Sequence, residues 1–155
     1  MFIKTVNLFL ISVFIFSCSL GINNNLSQNY FLQIETPKNK YNTLLNFELQ
    51  KNNKLNQNYN EIFFLKANIN FTSPETLSLK GLTPLNQMSG VLSYKLIKEN
   101  YIIHEGTISS VINYGSVTSL YGKNENEKFV KERIVKNLAL KLLNKIKLTI
   151  NKIEN

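Results

Sequence analysis

Between residues 62 and 72 apolar and polar side chains alternate almost without a break. Phe63, Leu65, Ala67, Ile69 and Phe71 fall on one side, and Lys66, Asn68, Asn70 and Thr72 on the other. A period of two is that of a strand with one buried face. The same alternation recurs at Tyr30–Thr36, with Tyr30, Leu32 and Ile34 together and Pro37 as the stop. It returns at Met88–Lys98, with Leu92, Tyr94 and Leu96 inward. A last strand runs from Tyr101 to about Tyr114, joined to its predecessor by a tight turn at Glu99-Asn100, where asparagine tolerates positive φ. Polar residues 51–60 form a loop. Residues 73–87, with Pro74, Gly81 and Pro84, form a long irregular connection.

Two segments follow the helical period instead. Tyr41, Leu44, Leu45 and Leu49 are helically spaced within residues 39–51, and Asn39 is suited to cap that helix. After a linker from Gly115 through Gly122, residues 125–150 carry apolar side chains at 130, 134, 135, 138, 139, 142, 143, 146 and 150. This is one broad stripe on a helix of about seven turns. Its glutamates lie early and its lysines late, as the helix dipole favours. The pattern predicts an α/β (α+β) two-layer sandwich, a four-stranded mixed sheet with two helices in the order strand-helix-strand-strand-strand-helix. Residues 30–153 form one such domain.

Ahead of that domain the chain changes character. Lys4 is followed by a run from Leu8 to Phe16 that is apolar except for Ser12. A spanning helix needs about 20 apolar residues, so the run reads as a signal peptide over 1–17. It ends at Ser17-Cys18, and Cys18 is the only cysteine in the chain. A small residue before a cysteine at this place resembles a bacterial lipobox, in which the cysteine is acylated and becomes the mature N-terminus. Residues 18–29 would then be a lipidated tether, and several acyl chains would hold the protein on a membrane without crossing it. An ordinary signal peptide with a chance cysteine, or an uncleaved short anchor, would use the same residues. Ser19 in place of aspartate after the cysteine favours the outer membrane, on its periplasmic side.

Composition removes several classes of chemistry. The 155 residues contain one cysteine, one histidine, one arginine and no aspartate. Disulfide scaffolds, Cys/His zinc sites, EF-hand loops and a Ser-His-Asp triad all lack their residues. No catalytic, cofactor or metal site is expected. His104, in mid-strand, reads as structural. An enzyme would have to work with glutamates such as Glu35, Glu48, Glu61, Glu75, Glu99, Glu105 and Glu132, none visibly paired. The 24 asparagines fit the codon bias of an AT-rich genome.

The net charge of +8 is concentrated late, with nine basic residues against three glutamates over 123–153. A solvated helix face is one reading and attraction to anionic lipid phosphates another. Nucleic acid is excluded as a partner because an exported chain rarely meets it. Lys80, Lys95 and Lys98 lie in the long connection and near the end of the hairpin. Brought together they could meet a phosphorylated sugar lipid; the alternative is dispersed surface lysines.

Several of these features coincide with a known family. With the lipobox cysteine, the chain has Tyr94-Lys95-Leu96, the Gly106 of His-Glu-Gly-Thr, Tyr114, and Tyr121-Gly122 seven residues later, before the long closing helix. In this it resembles LptE, the lipopolysaccharide-assembly lipoprotein family, in its alphaproteobacterial form. The likeness spans most of residues 18–150, by layout more than motif over 19–60. It departs at Gly122, where the family often has alanine, at Ser19-Leu20-Gly21-Ile22, where it usually has an aromatic-Pro segment, and at Leu85-Asn86-Gln87, near which it tends to place an arginine. The resemblance implies an outer-membrane lipoprotein that plugs an LptD-like β-barrel, assists its assembly and contacts lipopolysaccharide, with no bond chemistry. A subunit of another envelope system, such as an ABC lipid-transport auxiliary or a cell-wall synthase activator, shares the anchor and the small α/β domain.

Overall fold

The computed structural model describes residues 30–53, 59–72, 75–77 and 85–153. Among these residues five strands and two helices follow one another as β1 (Tyr30–Glu35), α1 (Lys40–Asn52), β2 (Glu61–Phe71), β3 (Glu75–Leu77), β4 (Leu85–Lys98), β5 (Tyr101–Gly115) and α2 (Leu120–Ile153). The predicted order and the two-layer, mixed-sheet class both hold. α1 carries the chain between the parallel strands β1 and β2, and β4 runs antiparallel to β2. β5 pairs with β4 along its whole length, so β2 and β3 share the other side of β4.

Both helices cover one face of the sheet. From the sheet come Leu32, Phe63, Leu65, Met88, Leu92 and Leu96, all buried; from the helices come Leu45, Leu49, Ile134, Leu138, Leu142 and Ile146. Full burial of one such side chain is worth roughly 1.5–3 kcal/mol against leaving it in water. Closest approach comes at Gly90 of β4. A β-carbon there would stand 2.5 Å from Cγ2 of Ile134, so only glycine lets α2 lie this close to the strand.

Three details differ from the sequence reading, each for a local reason. α2 begins five residues earlier than residue 125, because Ser119 caps it: the Gly122 N–H donates to Ser119 Oγ at 3.1 Å, and the Lys123 N–H to the Ser119 carbonyl at 2.9 Å. The short strand β3 lies inside the connection expected to be irregular, held by the extension of β4 back to Leu85. The Glu99-Asn100 turn has φ of 50° and 71°, so both residues are left-handed, not asparagine alone.

Asn42 meets a polar requirement of the fold. β1 stops at Glu35, opposite Lys66, ahead of Pro37, while β2 continues to Phe71. Beyond Lys66 that edge of β2 has no strand beside it among the described residues. Asn42, wholly buried in α1, supplies the missing partners. Its Oδ1 accepts from the Ile69 N–H at 2.9 Å and its Nδ2 donates to Asn68 Oδ1 at 2.9 Å. Asn39, the predicted cap, fixes Asn42 in turn by accepting from its backbone N–H at 3.0 Å.

Candidate functional site

The sheet face turned away from the helices is open and polar at its centre. Strand alternation brings Lys66 and Asn68 of β2, Ser93 and Lys95 of β4, and Glu105 and Thr107 of β5 side by side. With Glu35, Thr36 and Pro37 at the end of β1, they border a shallow groove of about 750 Å³. Two ion pairs flank it, Lys66 to Glu35 at 3.1 Å and Lys95 to Glu105 at 3.2 Å. All four side chains are more than half exposed, so each pair contributes little to stability, at most about 1 kcal/mol. Between them the hydroxyl and amide groups of Ser93, Thr107 and Asn68 are set in a largely apolar floor. Such a surface can bind a polar or zwitterionic partner.

Behind this groove Tyr94 and His104 form a small polar unit. Tyr94 is buried, and burial pushes its phenol above the ordinary value near 10. Its hydroxyl lies 3.1 Å from Nδ1 of His104, with the two rings parallel and 5.7 Å apart. His104 thus serves as the polar partner of a core tyrosine, the structural role expected of it. Among the described residues no group of three His, Cys, Asp or Glu side chains could hold a metal ion. Glu35, Glu61, Glu105 and Glu125 each face a lysine instead of another carboxylate.

The three lysines singled out from sequence do not form one cluster among the described residues. Lys95 and Lys98 project to opposite faces, as residues three apart on a strand do. Lys95 borders the groove. Lys98 lies on the helix side at the end of the sheet, 2.8 Å from Glu61 and above the Phe63 ring. Lys80 and Cys18 lie outside the described residues. Sequence reasoning missed Glu35, Lys66, Asn68 and Glu105 as groove residues, although the alternation through β2 and β4 carries three of the groove's charged and amide positions.

No protein-family model and no curated protein sequence matches the chain. Solved structures do share its fold. Rare lipoprotein B from Shewanella oneidensis superposes with a TM-score of 0.62 at 15% identity, over 80% of this chain and 98% of that one. A minor lipoprotein from Acinetobacter baumannii superposes at 0.56 with 18% identity, over 80% and 92%. A third structure, from Caulobacter crescentus, gives 0.58 at 13% identity, over 77% and 88%. The chain therefore has the two-layer α/β fold found in small bacterial lipoproteins. No helix among the described residues is long and apolar enough to cross a membrane.

Proposed function

We propose that this chain is a non-enzymatic outer-membrane lipoprotein, anchored on the periplasmic side through acylated Cys18. In this reading it occupies the lumen of an LptD-like barrel, assists its assembly and contacts lipopolysaccharide, with Lys80, Lys95 and Lys98 as candidate contacts. The observation that carries it is the open sheet face, whose charged groove suits the wet, polar interior of a wide barrel. The fold shared with rare lipoprotein B supports it, as does the meeting of two resemblance residues, Tyr94 and Gly106, as cross-strand partners. Acyl anchoring would add to this by holding a high local concentration of the domain near the barrel.

A photo-crosslinking side chain at Ser93, in the middle of the groove, tests the reading in intact cells. The expected product is a crosslink to a large outer-membrane barrel. Crosslinks confined to inner-membrane transporter subunits or cell-wall synthases would move the protein to another envelope system. Loss of function in a single Glu→Gln variant that still binds its partner would contradict the non-enzymatic reading.

A further inference from the structure

One end of the domain gathers features that the groove does not use. β1 starts at Tyr30 beside Glu61 of β2, Glu61 pairs with Lys98 of β4, and Lys98 stands opposite Tyr101 of β5. All four therefore lie at the same end of the sheet. α2 runs back along β5 toward that end. Near its start Asn126 donates to the Gly115 carbonyl at 3.2 Å, midway Lys141 donates to the Ser109 carbonyl at 3.0 Å, and its last turn lies beside Ile103 and His104.

The side chains exposed there are of two kinds. Tyr101 is 77% exposed, Leu148 64%, Ile102 53% and Ile153 47%. Between them runs a cationic stripe. Lys141, Lys145 and Lys152 share one face of α2 with Leu148, at spacings of four, seven and eleven residues, and α2 contains no acidic residue after Glu132. The stripe borders a cleft of about 750 Å³ against Ile103 and His104. Lysines around exposed aliphatic and aromatic tips are the composition of a surface that rests in a lipid interface.

Chain connectivity points the same way. Eleven residues separate Cys18 from Tyr30, where β1 begins. A chain of that length reaches at most about 40 Å. This step rests on the acylated Cys18 of the proposed function. We propose that, before a barrel encloses it, this end of the domain docks on the anionic headgroups of the membrane that holds the anchor. Lys145 and Lys152 meet lipid phosphates, while Tyr101 and Leu148 enter the interface. The groove face stays clear of the lipid and open to a partner.

The chain contains no tryptophan, so Tyr101→Trp creates a single reporter. The acylated full chain would be reconstituted on phosphatidylcholine vesicles with or without phosphatidylglycerol, both carrying brominated acyl chains. Expected are a blue-shifted, quenched emission when phosphatidylglycerol is present and an unquenched one from Val111→Trp near the far end of the sheet. A lysine close to such a surface is worth about fivefold in partitioning. Adding Lys145→Glu and Lys152→Glu should therefore weaken the docked state at least tenfold and return the reporter's emission to that of an indole in water. An unquenched Tyr101→Trp on chains that remain vesicle-bound would overturn docking while leaving the anchor standing. Equal quenching with and without phosphatidylglycerol, or in the charge-reversed chain, would overturn the lysine–phosphate contact. A chain that does not float with vesicles at all would overturn both docking and anchor, whereas capture of the barrel is measured separately.

Discussion

Tyr94 and Gly106 are direct cross-strand partners, and the tyrosine ring lies over the glycine. A β-carbon at Gly106 would sit 3.5 Å from the phenol oxygen and 3.7 Å from the ring, which is ordinary contact. The hydroxyl continues to His104, so the three residues act as one packed polar unit on the β4–β5 pair.

Tyr94→Phe keeps the ring and deletes only the hydroxyl. It should cost about 0.5–1.5 kcal/mol, the usual net worth of one hydrogen bond. Gly106→Ala should change stability by less than about 1 kcal/mol, while Gly106→Leu should displace the ring and exceed Tyr94→Phe. Urea unfolding followed by circular dichroism measures all three.

Gly90 should respond in the opposite way to Gly106, though both are strand glycines. Its added methyl meets Ile134, which is itself fully buried and cannot swing into solvent. Gly90→Ala should cost about 1–3 kcal/mol. Combined with Ile134→Ala the two losses should be less than additive, because the second change removes the atom in the way. A double-mutant cycle reads the coupling.

Asn42 tests the edge of β2. Asn42→Leu leaves the buried Ile69 N–H without its acceptor, at a cost of about 1–3 kcal/mol. Amide hydrogen exchange should speed up locally at Ile69 while Leu65, paired within β1–β2–β4, stays protected.

Three tyrosines give the fold an alkaline limit. Burial raises the phenols of Tyr41, Tyr94 and Tyr114 above the ordinary value near 10, with Glu132 and Glu127 adding to the shift at Tyr41, where Lys128 opposes it, and Glu127 at Tyr114. Each phenol keeps its proton longer in the folded chain than in the unfolded one. Their stabilisation is therefore complete below about pH 10 and is lost as pH climbs through the folded-state values. Denaturant midpoints should fall above pH 10, and Tyr94→Phe should flatten that fall.

Much of the architecture was legible because period-two and period-3.6 patterns are printed directly in the residues of β2 and α2. Ends were less so. The sequence pattern puts Gly122 at the end of a linker, yet Ser119 draws it into the first turn by accepting its N–H. β3 carries three residues and no periodicity that sequence can certify; it exists because β4 extends beside it. The groove was hidden for a different reason. Glu35, Lys66, Lys95 and Glu105 come from four strands, and only register places them together. Asn42 gave no signal, since a helix asparagine is ordinary until the strand edge it completes is known.

A C-terminally tagged full chain, recovered from membranes in mild detergent, identifies the partner. Mass spectrometry of the retained material should find one large outer-membrane β-barrel in near-equal amount to the tagged chain. Recovery of transporter subunits or cell-wall synthases with no barrel would place the chain in another envelope system and rule out the barrel partner.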